Sequence, residues 1–145
     1  MQVFKFGGAS VKDAAGVKNV VTVLSKTGHQ NTVVVISAMG KTTNALEEVV
    51  NAYFRQPESF KSTLIEAEAF HQNIIEELFE APNTPVSKRV RNLFGQCHTF
   101  LENNRSPHEA FVYDQVVSFG ELISTSIVCA YLNHVGIAAE WVDAR

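Results

Sequence analysis

Three short segments of this chain carry residue types that could bind or transfer a charged group. The first is KFGGASV at residues 5–11, in which Lys5 is followed closely by two glycines. Glycines leave backbone N–H groups open to an anion such as phosphate, and Lys5 would add a full positive charge. A Gly-Gly turn beside a surface lysine gives the same pattern, so this segment alone predicts an anion site only weakly.

The second segment is SAMGKTTN at residues 37–44, which contains the Gly-Lys-Thr triplet of a nucleotide-binding P-loop. The full P-loop pattern needs a glycine at position 35, and that position is Val35 within an apolar run, so a P-loop is excluded. The hydroxyls of Ser37, Thr42 and Thr43 remain, and beside a helix N-terminus they suit a carboxylate. Simple capping of the next helix by Thr42 or Thr43 is the alternative.

The third segment is SFGELIS at residues 118–124, where Glu121 stands among apolar neighbours. A carboxylate in such a stretch either reaches solvent or needs a cationic partner, because an unpaired buried charge is costly. The ammonium group of a substrate would be one such partner. Most glutamates in helices lie on an exposed face, which is the alternative for Glu121.

Alternating strands and helices are predicted to position these segments. Apolar runs, helical spacing and Gly or Pro breaks predict a strand at 2–6, a helix at 14–25 and a strand at 32–36. A helix then runs from 43 to a break at Pro57, followed by a helical hairpin at 58–104 that is divided at 82–85. The chain closes with a helical stretch at 108–134, broken near 118–120, and a third strand at 137–142. This order implies an α/β fold whose parallel sheet has helices on both faces. Ligands then bind beyond the carboxyl ends of the strands, which points to the glycine pair, to residues 37–44 and to whatever follows Val142.

The same patterns predict helix ends and a buried face. Ser10 and Asp13 are candidate N-caps for the first helix, and Gly136 is a candidate C-cap for the last. The first helix of the hairpin should bury one apolar stripe, formed by Leu64, Ala67, Phe70, Ile74, Ile75 and Leu78. The five histidines are scattered without metal-ligand spacing, so no metal site is predicted.

Length and composition limit the possible functions. The chain has 145 residues, which suits one domain or one part of a larger domain, and no repeat or linker marks a boundary inside it. Its net charge of −3, without a basic stripe, makes nucleic acid a poor partner. Cys97 and Cys129 are predicted to be reduced core thiols. No leader peptide or long apolar segment is evident, which predicts a cytoplasmic protein without a membrane partner.

Together, the segments at 5–11, 37–44 and 118–124, with the closing EWVDAR at 140–145, resemble the aspartate kinases of the amino acid kinase superfamily in order and spacing. The resemblance extends over the whole chain. It implies a three-layer αβα sandwich with a mainly parallel sheet and an inserted helical hairpin. It also implies transfer of the γ-phosphoryl group of ATP, with Mg²⁺, to the side-chain carboxylate of L-aspartate, the first step towards lysine, threonine and methionine.

The family pattern further implies roles at the first segment. Lys5 would be the catalytic residue that stabilises charge on the transferred phosphoryl group. Gly7, Gly8 and Ser10 would lie near the phosphates of ATP. One departure is Ala9, where the family motif most often has a threonine, so one hydroxyl near the phosphates is missing.

At the other two segments the pattern implies substrate contacts. Ser37 and Thr43 would line the aspartate pocket, and Glu121 would bind the α-ammonium group. Family members continue with a nucleotide pocket and usually with regulatory ACT domains, which residues 1–145 do not include. The resemblance therefore implies that residues 1–145 are the N-terminal, mainly amino-acid-binding part of a kinase domain, inactive alone and dimeric in the full-length protein.

Two alternatives stay open. The chain could belong to another small-molecule kinase of the superfamily, acting on glutamate, N-acetylglutamate, carbamate or a nucleoside monophosphate. It could also be a regulatory or dimerisation module that keeps the fold without the chemistry, with the helical hairpin as its interface. Lys5 and Glu121 favour the enzyme, because a pure scaffold needs neither residue.

Overall fold

A two-stranded sheet and six α-helices make up the structure, a computed structural model that describes residues 1–144. The elements are β1 (Gln2–Phe6), a 3₁₀ helix (Gly8–Val11), α1 (Ala14–Thr27), β2 (Thr32–Ile36), α2 (Thr42–Arg55), α3 (Phe60–Phe79), α4 (Pro85–Asn103), α5 (Glu109–Val117) and α6 (Phe119–His134). The hairpin of α3 and α4 and the break at Ser118 confirm the predicted order of elements. The structure differs from the prediction at residues 137–142.

The two strands pair in parallel, as the strand–helix–strand order predicts, and the mixed α/β fold is confirmed. One face of the sheet packs on the helices through residues such as Phe4 and Val34. The other face carries exposed apolar side chains, namely Val3 at 64%, Val33 at 46% and Val35 at 45%. Lys5 pairs in register with Val35 and lies on this exposed face. Within residues 1–144, helices therefore cover only one face of the sheet.

The first helix of the hairpin, α3, buries its predicted stripe except at one position. Most of the stripe on α3 is buried, but Phe70 is 39% exposed and His71 is fully buried in its place. Positions 70 and 71 both satisfy helical spacing from Ala67, and the His71 ring satisfies its nitrogens inside the core. Cys97, on α4, is a buried free thiol, and burial raises its pKa to about 12. Cys129 is also free but only half-buried.

Residues 137–142 do not form the predicted third strand. Gly136 adopts a φ of +87° and ends α6, with hydrogen bonds from Gly136 N to Asn133 O and from Ile137 N to Leu132 O. Beyond this turn, the Asn133 side chain donates to the carbonyl of Ala139 and accepts from its N–H. A side-chain amide thus takes the place of a neighbouring strand, and the segment stays irregular. Arg145, the last residue of the EWVDAR motif, lies outside the described residues.

The α5–α6 stretch is the most apolar part of the chain. By length and composition alone, Glu109–His134 could cross a membrane, with a mean hydropathy of 1.4. However, 56% of its most apolar window is buried within the structure, and its two helices pack against α2, α4 and other elements. This burial is typical of core helices.

Candidate functional site

The three segments singled out in the sequence meet at the carboxyl ends of β1 and β2. Ser37 N donates to Phe6 O over 3.1 Å, and Gly40 N donates to Gly8 O over 3.0 Å. A Cβ atom added at Gly8 would lie 2.6 Å from the carbonyl oxygen of Ala38, so only glycine allows this approach. The first and second segments are therefore joined backbone to backbone.

The third segment touches the same loop through Gly120, at the start of α6. A Cβ atom added at Gly120 would lie 3.0 Å from Ala38 Cβ and 3.4 Å from Thr42 Cγ2. This close contact places Glu121, the next residue, beside the loop formed by residues 37–44. We call the meeting of these three segments the strand-end junction.

At the first segment the structure confirms the predicted start of α1 and corrects one of its two candidate caps. The two glycines lead into the 3₁₀ helix and not directly into α1, which begins at Ala14. Asp13, and not Ser10, caps α1, because its Oδ1 accepts a hydrogen bond from Gly16 N over 2.8 Å. A carboxylate therefore already occupies the N-terminus of α1, and an anion would meet the N–H groups around Gly8 instead.

Lys5, Gly7 and Ser10 are all exposed around this first segment. No ion pair or hydrogen bond forms at the Lys5 ammonium among residues 1–144, so its charge faces solvent at the end of β1. Gly7 has an extended backbone and open space around its Cα, so a side chain would fit there, in contrast to Gly8.

In the second segment, neither threonine caps α2. The N-cap is Lys41, which makes no side-chain cap bond, and Gly40 before it has a φ of +53°. Thr42 is buried, and its hydroxyl oxygen lies 2.5 Å from Met39 O and 3.0 Å from His71 Nε2. Thr43 and Ser37 are half-buried and remain accessible to a ligand.

Glu121 lies on the first turn of α6, with its side chain exposed. It borders a cavity of about 740 Å³ that runs along β2, one face of α6 and residues 137–144. Trp141 closes part of this cavity, because its Nε1 donates to Thr125 Oγ1 over 2.8 Å and its ring lies 4.3 Å from the Arg89 guanidinium carbon. The walls are mainly apolar, so a carboxylate at their rim is suited to orient a cationic group.

His71, which belongs to none of the three segments, contacts the junction from α3. Its Nδ1 lies 2.7 Å from Ala67 O, and desolvation lowers the pKa of the ring to about 4. The available signal was its register, because position 71 follows Ala67 by four residues and precedes Ile74 by three. A histidine at a core position of a helix implies a hydrogen-bonded partner inside the protein.

The lowered pKa of His71 predicts a loss of stability in mild acid. An unfolded histidine titrates near 6.5, so between pH 6.5 and 4 the unfolded chain binds a proton that the folded chain does not. Acidification through this window lowers the free energy of unfolding, and from pH 7 to pH 5 the loss is about 2 kcal/mol. Urea unfolding of wild type and His71→Gln at both pH values measures this contribution as the difference in pH dependence. Equal dependence in the two proteins would contradict the assignment.

Comparisons with known proteins agree with this geometry. The model of the amino acid kinase family matches residues 1–145. Aspartokinase 2 of Arabidopsis thaliana is 34% identical over 98% of this chain, and the aspartokinase of Chlamydia muridarum is 26% identical over 99%. The crystal structure of Escherichia coli aspartokinase III in complex with aspartate and ADP superimposes with a TM-score of 0.84 at 26% identity, covering the whole chain.

These proteins are longer than the present chain, which spans 26% and 30% of the two sequence relatives and 31% of the solved structure. The match with the family model extends from the first residue to the last, and it includes all three segments of the strand-end junction. The chain therefore belongs to the amino acid kinase family, and the relatives that it resembles there are aspartokinases.

Proposed function

We propose that this chain is the N-terminal, amino-acid-binding part of a kinase that transfers the γ-phosphoryl group of ATP to the side-chain carboxylate of L-aspartate. The observation that carries the proposal is the strand-end junction. Its backbone and glycine contacts join the three segments that carry Lys5, Ser37, Thr43 and Glu121. The similarity to an aspartokinase whose structure contains aspartate and ADP supports the choice of substrates.

The proposed substrate-binding groups match the charges of aspartate. Glu121 offers a carboxylate to the α-ammonium group. The hydroxyls of Ser37 and Thr43, close to the N-terminus of α2, offer hydrogen bonds to a substrate carboxylate. An acid without an amino group leaves Glu121 without its partner, so these residues together favour an amino acid as substrate.

The reaction then needs positioning and charge stabilisation more than covalent chemistry from the protein. A side-chain carboxylate oxygen of aspartate attacks the γ-phosphorus, and ADP leaves with the electrons of the broken P–O bond. Negative charge is spread over the peripheral oxygens in the transition state, and the Lys5 ammonium stabilises it. The N–H groups near Gly8 and Ser10 contribute in the same region, with Gly7 leaving the approach unobstructed.

ATP is the phosphoryl donor in this proposal, and Mg²⁺ accompanies it. Mg²⁺ at such sites is held largely by the phosphates of the nucleotide, with few protein ligands. Residues 1–144 contain no group of three or more His, Cys, Asp or Glu side chains that could hold a metal ion. We therefore assign no Mg²⁺ ligand to the described residues.

Three further features belong to the proposal. The product is 4-phospho-L-aspartate, the precursor for lysine, threonine and methionine. The full-length protein is a cytoplasmic homodimer, although the Arabidopsis relatives are named as chloroplastic. Residues beyond 145 supply the nucleotide pocket and any regulatory domains.

The test is an assay of the full-length protein with Mg-ATP and a panel of acids, in which hydroxylamine traps the acyl phosphate. Aspartate should support turnover, and glutamate, N-acetylglutamate and carbamate should not. Turnover with another acid, or with a nucleoside monophosphate in a coupled ADP assay, would keep the family and overturn the substrate. Absence of turnover with every acceptor would favour the non-catalytic module.

The isolated 145-residue chain is expected to be inactive in the same assay, because the proposed nucleotide pocket lies outside it. A folded chain, verified by circular dichroism, should give a rate no higher than that of Lys5→Ala in the same chain. A rate above this control that depends on both ATP and aspartate would show that these residues hold a complete active site.

A further inference from the structure

A buried polar pair joins α2 to α3 directly behind the strand-end junction. His71 is fully buried, and Thr42 is 2% exposed. The Thr42 hydroxyl oxygen lies 3.0 Å from His71 Nε2, and the ring packs with its centroid 5.5 Å from that of Phe94. The pair connects the helical hairpin to the first residue of α2.

The hydrogen-bond partners of the two ring nitrogens determine which tautomer His71 adopts. The contact between His71 Nδ1 and Ala67 O requires a proton on Nδ1, and a neutral ring then carries none on Nε2. Burial keeps the ring neutral. Nε2 is therefore a buried acceptor, and the Thr42 hydroxyl is the donor within reach.

The Thr42 hydroxyl also donates to Met39 O over 2.5 Å, so its one proton is shared between that carbonyl and His71 Nε2. Met39 O also accepts a hydrogen bond from Thr42 N over 2.9 Å, so it stays satisfied when the hydroxyl serves His71. Without the hydroxyl, Nε2 would remain an unpaired buried acceptor, which is unfavourable because nothing replaces its lost hydration. His71 therefore favours one orientation of the Thr42 side chain.

The orientation of the Thr42 side chain affects the position of the residues that are proposed to bind the substrate. Thr42 lies between the loop at residues 37–40 and Thr43, and its methyl group approaches Gly120, the residue before Glu121. Its hydroxyl contacts the end of the loop, and its backbone N–H bonds Met39 O. A change in this side chain would shift the first turn of α2 relative to both the loop and α6.

We propose that His71 is a positioning residue, which holds Thr42 and thereby places Thr43 and Ser37 for the substrate carboxylate. This proposal rests on the proposed function of that loop. His71 itself does not reach the substrate in this arrangement. An apolar residue would fill the same space, but it would leave the Thr42 hydroxyl without its partner on α3.

The test uses variants that separate positioning from packing. His71→Leu and Thr42→Val each remove one polar partner and keep the volume similar. The double variant removes both. His71→Gln can keep an acceptor near the position of Nε2 and serves as the conservative rescue. Ser87→Ala is the control, because Ser87 Oγ donates to Gln72 Oε1 between α4 and α3, away from the junction.

The first readout is independent of catalysis and uses the 145-residue chain. Nitrogen-15 NMR of the wild-type ring should show a proton on Nδ1 and an unprotonated, hydrogen-bonded Nε2. His71→Leu should shift the amide signals of Ser37, Gly40 and Thr43, whereas Ser87→Ala should leave them in place. A proton on Nε2, or unshifted amides in His71→Leu, would overturn the proposal.

The second readout uses the full-length protein and the acyl phosphate assay. His71→Leu and Thr42→Val should each raise KM for aspartate about 10-fold with kcat changed less than about twofold, as expected when one positioning hydrogen bond is lost. The double variant should be no worse than either single variant, and His71→Gln should recover most of the loss. A fall in kcat at constant KM would indicate a purely structural role and overturn the proposal.

The two readouts distinguish failure of this proposal from failure of the proposed function. If wild type does not phosphorylate aspartate but the amides of Ser37, Gly40 and Thr43 shift in His71→Leu, His71 positions the loop for another ligand. If wild type uses aspartate and the amides do not shift, the kinase assignment stands and the role of His71 is refuted. If His71→Leu does not fold, Thr42→Val and its KM decide the question.

Discussion

Replacement of Lys5 by alanine in the full-length protein is expected to lower kcat for aspartate phosphorylation by about 10²–10³-fold, with much smaller changes in KM. A preorganised charge that acts on the transition state contributes on this scale when a single donor is removed. The Lys5 ammonium faces solvent at the end of β1 and makes no ion pair within residues 1–144. Acyl phosphate trapping at saturating Mg-ATP and aspartate measures the effect.

Lys18→Ala is a matched control for this experiment. Lys18 lies exposed on α1, so its removal changes the net charge equally without touching the strand-end junction. The control should keep kcat within about twofold, as surface substitutions generally do. Equal losses in both variants, or a rise in KM alone in Lys5→Ala, would remove Lys5 from its catalytic role.

Glu121→Ala is expected to raise KM for aspartate by about 10–100-fold while kcat falls much less. A hydrogen bond between charged groups contributes about 1.5–3 kcal/mol, and the α-ammonium group is equally bound in the ground and transition states. Steady-state kinetics with varied aspartate separate the two constants. Glu77→Ala, an exposed carboxylate on α3, is the control for a simple loss of negative charge.

Succinate tests the assigned partner of Glu121 more directly, because it is aspartate without the amino group. Wild type should strongly prefer aspartate, since a polar group left unpaired rejects the analogue. Glu121→Ala should lose most of this preference, because the substitution weakens the binding of aspartate and leaves that of succinate unchanged. A preference that is unchanged in the variant would mean that another residue binds the ammonium group.

The fold could be predicted from sequence wherever local pattern and packing agree. β1 and β2 end at Phe6 and Ile36, as their β-branched and aromatic runs suggest, and Gly136 ends α6 with the positive φ that glycine favours. Residues 137–142 have strand composition, but a strand also needs a partner. In the described residues, Asn133 takes that place through its side chain, and no local pattern reveals such a contact.

The meeting of the strand ends in the strand-end junction could be predicted from the sequence. The contact with Gly120 and the role of His71 could not. Parallel strands predict that residues after β1 and β2 meet, but the contact of Gly120 with Ala38 joins positions far apart in sequence. His71 was missed because hydrophobicity favours Phe70 at the same helical spacing. Only the contact with Thr42, on α2, shows why the imidazole is the buried group.

The one-sided cover of the β1–β2 sheet affects how stability is distributed within residues 1–144. Ile36 is the one buried strand residue there, whereas α6 alone buries nine residues. Backbone segments with little buried surface open by local unfolding at a smaller free energy than the helical core. The strand ends that carry Lys5 and Ser37 can therefore open and close while α6 remains folded. Lys5 and Ser37 thus lie on weakly held backbone, next to a much more stable helical layer that carries Glu121.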